Sequence, residues 1–165
     1  KNDDDEDDEE KTVLDALVDA RDPETGEQID DGLVQDECLT FLLAGNGTTA
    51  AVLTWCVHLL SRDARVQAKV RAEARLAAVN DTWSSSDMKY TKAVFMETMR
   101  LYPAVPILQG RTSEPTNFVD NNGNDVVVPT GVDCMINISA LHRDQYQWGN
   151  DVDKFRPERM LNKDA

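Results

Sequence analysis

Two threonines, Thr48 and Thr49, follow two closely spaced glycines in Leu42-Leu43-Ala44-Gly45-Asn46-Gly47-Thr48-Thr49-Ala50-Ala51. A threonine hydroxyl in a helix can bond back to the preceding turn or point into a cavity. Glycine lets a ligand or another backbone come close. Each interior glycine also costs helix stability relative to alanine, so the pair together costs about 2 kcal/mol unless packing needs it. Helix–helix packing through small residues leaves the same trace, and from this stretch alone that plainer reading stands slightly ahead.

A second pair with possible chemistry is Glu97 and Arg100 in Glu97-Thr98-Met99-Arg100-Leu101-Tyr102-Pro103. Three residues apart on a helix, they share a face, where a surface ion pair contributes a few tenths of a kcal/mol and is commonplace. Cys38, Cys56 and Cys134 are odd in number and far apart, with no C-x-x-C pair, and His58 and His142 are not spaced with them as zinc ligands would be. Reduced, mostly buried thiols are expected. Three matches to the glycosylation tripeptide, at Asn46, Asn80 and Asn137, read as chance.

The elements that must position these residues are mainly helical. A short helix is expected over 13–18, with turn chemistry over 21–26. Asp30 or Asp31 can cap the helix that follows. From there to about residue 61, apolar residues recur at helical spacing, predicting an unusually long helix. A second helix over 63–79 is rich in Ala, Arg, Lys and Glu. A polar loop leads to a third, over 89–101, which ends where Pro103 disfavours helix at Tyr102. The remainder turns extended: 105–111, a hairpin about 121–124, and a strand alternating at Cys134, Ile136 and Ile138, before a helical turn near Leu141. Helices first and a small sheet later give an α+β chain, mainly α.

Composition sets limits. The chain has 165 residues and a net charge of −14, of which residues 1–11 carry −6. That acidic run is expected to be solvated and disordered, and the overall charge argues against nucleic acid as a partner. No eighteen apolar residues run uninterrupted, so no membrane-spanning helix is expected.

Taken in order, the segments DPETGEQIDDGLVQDECLTFLLAGNGTTA, KYTKAVFMETMRLYPAVP and VPTGVDCMINISALHRDQYQWGNDVDKFRPERM resemble the cytochrome P-450 (haem-thiolate monooxygenase) superfamily. Its fatty-acid and alkane hydroxylating branches are nearest in flavour, and the likeness runs from Asp22 to Met160. It implies a partial haem domain over 22–165, behind an acidic segment and short helix over 1–21. Haem b would lie against Ala44 and Gly45, with Thr48 as the catalytic hydroxyl that supports proton delivery and Thr49 beside it. Arg111 would pair with a haem propionate. Leu43, Ala44, Val105 and Ile107 would line an apolar substrate pocket. Glu97 and Arg100, with Arg159 as third partner, would form a buried, structural charge network.

The same resemblance implies O2-dependent insertion of one oxygen atom into a small apolar substrate, with electrons from NADPH through a separate or fused reductase. Location would be the cytosolic face of the endoplasmic reticulum in a eukaryote, held through an N-terminal anchor, or the cytoplasm for a soluble fusion. Two departures stand out. The family's usual acid before the threonine is here Gly47, which keeps open a haem-thiolate isomerase, a peroxide-using relative or a silent binding homologue. None of the three cysteines has the Gly-rich loop context of an axial ligand. The chain therefore reads as an internal fragment, with the thiolate expected beyond Ala165. Alone it is expected to be inactive and aggregation-prone.

Overall fold

The computed structural model describes residues 12–84 and 86–161. The acidic run over 1–11 lies outside the described residues. The chain divides into two compact units, 1–47 and 48–165, at a boundary inside its longest helix.

In the first unit, α1 (Val13–Asp19) opens with a capping box. The Thr12 hydroxyl accepts from the Asp15 N–H at 3.2 Å and the Asp15 carboxylate accepts from the Thr12 N–H at 2.8 Å. The Asp22 carboxylate then accepts from the N–H groups of Glu24 and Thr25, both at 2.8 Å, forming the expected turn. Of the two candidate caps for α2 (Asp31–Arg62), Asp30 serves: its carboxylate accepts from the Gly32 N–H at 2.9 Å.

Helix α2 is the long helix the periodicity predicts. Val52 is its one buried residue; Leu42 and Leu43 are 64% and 76% exposed. By length and composition it is long and apolar enough to cross a membrane. It is so without eighteen uninterrupted apolar residues, because scattered threonines and glycines break a run without making a helix polar. Among the described residues no atom lies within 4 Å of a Cβ placed at Gly45 or Gly47, so no contact between them accounts for these glycines.

In the second unit, α3 (Ala64–Asn80) starts at Asp63, whose carboxylate accepts from the Val66 N–H at 3.0 Å. Helix α4 (Lys89–Leu101) has the predicted bounds and buries Ala93, Val94, Glu97, Thr98, Arg100 and Leu101, a stripe at helical spacing. It packs on α3 and on a closing 3-10 helix, Pro157–Met160. Val66, Val94, Leu101 and Val152 make up much of the small core.

The β structure forms two antiparallel pairs rather than one sheet. Strand β1 (Ile107–Arg111) pairs with β4 (Asp133–Asn137), setting Arg111 opposite Asp133. Strands β2 (Thr116–Val119) and β3 (Asp125–Val128) form the predicted hairpin. Its turn is held by Asp120, which accepts from the N–H groups of Asn122 and Asn124 at 2.8 Å, with Gly123 at φ +83°.

Ile138 belongs not to β4 but to α5 (Ile138–Leu141). The Asn137 side chain accepts from the Ala140 N–H at 3.0 Å and so starts a helix where alternation suggested strand. A second short helix, α6 (Gln145–Trp148), precedes the irregular segment that leads to Pro157. The cysteines also differ from expectation: Cys38 and Cys56 are half-buried and Cys134 is exposed, all as free thiols. Apolar spacing placed them on element faces, but α2 and β4 are themselves largely uncovered.

Candidate functional site

The α4 helix begins without help from its own sequence, since Met88 at its N-cap offers no side-chain hydrogen bond. Glu73 of α3 takes that part from across the interface. Its Oε1 accepts from the Tyr90 N–H at 2.7 Å, and its Oε2 accepts from the Thr91 N–H and hydroxyl, each at 2.7 Å. A carboxylate at this end also meets the positive pole of the helix. Replacing Glu73 with Ala is expected to cost about 1 kcal/mol, the usual worth of a cap, read as a lowered thermal midpoint.

With its start fixed, α4 presents Glu97 and Arg100 to the interior, where they are 0% and 2% exposed. The two carboxylate oxygens of Glu97 accept from Arg100 Nε at 2.8 Å and Nη2 at 2.9 Å. Glu97 Oε1 also accepts from Arg159 Nε at 2.9 Å and from the Arg156 N–H at 3.1 Å. Both guanidinium groups then reach outward to carbonyls. Arg100 donates to His142 at 2.8 Å and Lys154 at 3.4 Å. Arg159 donates to the carbonyls of Trp148 and Asp151 at 3.0 Å and of Lys154 at 3.3 Å.

This arrangement answers an accounting problem. The stretch over 142–156 is mostly irregular, and its part-buried carbonyls have no ladder to join. Two rigid five-donor forks serve them instead, tied to α4 by one carboxylate. Asp151 brings a second negative charge, 3.3 Å from Arg159 Nη1 and 2.9 Å from Arg156 Nη1. The Arg100 guanidinium also lies 5.1 Å from the centre of the Trp148 ring. The three residues expected to form a charge network are therefore brought together, and the network is closed.

A neighbouring cluster was not foreseen. Glu158 Oε1 accepts from Arg65 Nη1 at 2.5 Å, Lys69 Nζ at 2.7 Å and the Tyr90 hydroxyl at 2.9 Å. Burial pushes the Glu158 carboxyl up, but hydrogen bonds from Lys69, Arg65 and Tyr90 outweigh it and hold the carboxyl at about 2, against an ordinary 4.5. Burial and the Glu158 acceptor push the Tyr90 phenol up to about 12. A lowered carboxyl stabilises the fold above its unfolded value, and this is lost as pH falls through the folded one. Between pH 4.5 and 2 the Glu158→Gln variant is accordingly expected to lose stability less steeply than the parent in an acid titration.

The other expected site residues are placed as follows. Leu43, Ala44, Gly45, Thr48 and Thr49 are all exposed positions of α2. Val105 and Ile107 are 47% and 44% exposed, Val105 just before β1 and Ile107 within it. Arg111 ends β1, its Nε donating to the Gly131 carbonyl at 3.0 Å, with Asp133 at 3.4 Å. An open apolar cavity of about 370 Å³ lies instead beside the charge network, bordered by Met96, Met99, Pro103, Trp148 and Met160. Among the described residues, no group of His, Cys, Asp or Glu could hold a metal ion.

The family model described as Cytochrome P-450 matches residues 1–165. The bifunctional cytochrome P-450/NADPH–P-450 reductase 2 of Bacillus subtilis is 34% identical over 153 residues, 91% of this chain and 14% of that protein. Cytochrome P-450 97B1, chloroplastic, of Pisum sativum is 36% identical over 156 residues, 91% of this chain and 27% of that protein. A bifunctional cytochrome P-450/NADPH–P-450 reductase of Gibberella moniliformis is 35% identical over 157 residues, 90% of this chain and 13% of that protein. The chain thus spans between 13% and 27% of the length of these relatives.

Proposed function

The chain belongs to the cytochrome P-450 family, and from that premise we propose that it carries part of the haem site of a monooxygenase. The enzyme inserts one oxygen atom from O2 into an apolar, lipid-like substrate, with electrons from NADPH through a reductase. The observation that carries this reading is the closed Glu97–Arg100–Arg159 network, formed by the residues the resemblance singled out. The reductase follows from relatives whose names join both activities.

The residues present suit haem b. At Ala44 and Gly45, α2 offers a surface without bulk, and a Cβ at Gly45 would meet nothing within 4 Å. A flat apolar macrocycle can lie on such a surface with little side-chain obstruction. Arg111 is an exposed cation anchored through Nε, so its terminal nitrogens can meet a propionate carboxylate. When bound, the haem supplies the oxidising chemistry, and the protein supplies position, protons and exclusion of water.

Each residue then has a defined task. Thr48 holds a hydroxyl from which a proton is passed toward the reaction site, with Thr49 next to it on the helix. Leu43, Ala44, Val105 and Ile107 exclude water and orient the substrate by apolar contact. Glu97, Arg100 and Arg159 hold the irregular segment over 142–156 in one conformation. Gly47 gives Thr48 no carboxylate neighbour, so Asn46 or water feeds the proton. The axial thiolate is assigned to none of Cys38, Cys56 and Cys134. Residues 22–165 are the haem-domain part, with 1–21 ahead of it.

Gly47 is also the observation that favours a second reading, a relative that uses a hydroperoxide and has no need of the relay. The full-length protein, supplied with NADPH, reductase and a panel of fatty acids, alkanes and small polar compounds, separates these readings. Hydroxylated apolar products support the monooxygenase. Turnover with hydroperoxide alone supports the second reading, and products from small polar compounds only would contradict the lipid-like assignment. The endoplasmic reticulum is proposed for a eukaryotic parent and the cytoplasm for a fused one; a chloroplast is the place named for one relative.

A further inference from the structure

Glu158 precedes Arg159 in the closing 3-10 helix, and the two side chains are held by different partners. Arg159 closes the network on Glu97, 2.9 Å away. Glu158 meets Arg65 and Lys69 of α3 and the Tyr90 hydroxyl of α4. A 3-10 helix of four residues has few internal bonds, here Arg159 N–H to the Arg156 carbonyl at 3.1 Å and Leu161 N–H to the Glu158 carbonyl at 3.3 Å. Such a segment does not set its own orientation.

We propose that Glu158 is a positioning residue for Arg159, fixing the rotation of the 3-10 helix so that the guanidinium meets Glu97. The attachment has two points on α4. Tyr90 and Glu97 are seven residues apart, so they share a face of the helix two turns apart, about 10 Å along its axis. Glu158 docks at the first and Arg159 at the second. A single attachment would leave the segment free to swivel about it, while two fix both place and rotation. Arg65 and Lys69 tie the first point to α3, the helix that also caps α4 through Glu73. Orientation matters here because Arg159 must satisfy Glu97 and three backbone carbonyls together, and a planar fork tolerates little rotation. The functional meaning, a rigid frame beside a cofactor, rests on the haem-site reading.

The test is amide hydrogen exchange in the full-length, haem-loaded protein, comparing the parent, Glu158→Gln, Arg159→Lys and the double variant. Loss of charge-assisted bonds from Glu158 is expected to speed exchange over residues 156–161 about tenfold. That increment should largely vanish when Arg159 is already Lys, because the two residues then act through one contact. Unchanged exchange over 156–161 would overturn the proposal, as would an equal increment in the Arg159→Lys background. Should Glu158→Gln fail to accumulate, Lys69→Met removes one of the three donors and is read in the same two ways. Exchange does not depend on turnover, so an inactive protein would refute the monooxygenase and leave this coupling still measurable.

Discussion

Replacing Glu97 with Ala should destabilise the protein by about 3–5 kcal/mol, because it strands the buried Arg100 guanidinium without its acid and leaves Arg159 with Asp151 alone. Native domains have only about 5–15 kcal/mol in hand, so the variant is expected to be largely insoluble or to melt far below the parent. The magnitude follows from burial: Glu97 is 0% exposed, and among the described residues its carboxylate is the one acid that pairs with both Arg100 Nε and Arg159 Nε. Arg100→Lys keeps the charge but loses the fork that reaches both Glu97 oxygens and the His142 carbonyl, so it should be nearly as damaging. Arg159→Lys should be milder, since Asp151 can still meet a lysine ammonium. Denaturant unfolding measures all three. A loss below about 1 kcal/mol for Glu97→Ala, the worth of an exposed pair, would show the network to be ornamental.

The second large effect is expected at Thr48. Thr48→Ala should lower product formed per NADPH oxidised by roughly a hundredfold, the lower range of what a positioned proton donor contributes. NADPH consumption should fall much less, because reduction does not need this hydroxyl. Gly47→Asp is the complementary change. The site tolerates a side chain sterically, as a Cβ at Gly47 meets nothing within 4 Å. It restores a carboxylate beside Thr48 and should raise coupling. Product yields that follow neither substitution would remove Thr48 from the proton path.

Where the sequence could be read and where it could not has a physical pattern. Helix α4 was legible to its bounds because its apolar stripe and the proline at its end are local signals. The hairpin of β2 and β3 was legible for the same reason. Ile138 was misplaced because alternation cannot see the Asn137 side chain that starts α5. In the site, Glu97, Arg100 and Arg159 were found through family resemblance, since Glu-x-x-Arg alone cannot distinguish a buried pair from a surface one. Glu73 and Glu158 were missed altogether. Both act across elements, on partners 17 and 68 residues away at Tyr90, which no local spacing records. One signal did exist for Glu73: α4 begins without a capping residue, so its orphan N–H groups had to find an acceptor elsewhere. The thiols were expected inside because small apolar residues usually are, but α2 and β4 leave most of their surface open.

The proposal that this chain belongs to an enzyme inserting one atom of O2 into an apolar substrate has an isotopic test. The full-length protein would be supplied with NADPH, reductase, a medium-chain fatty acid and isotopically labelled dioxygen in ordinary water, and the product weighed by mass spectrometry. The expected product is a hydroxylated fatty acid carrying one labelled oxygen from the gas. A haem-loaded protein whose product takes its new oxygen from water, or which forms no product while hydroperoxide drives turnover, would contradict it.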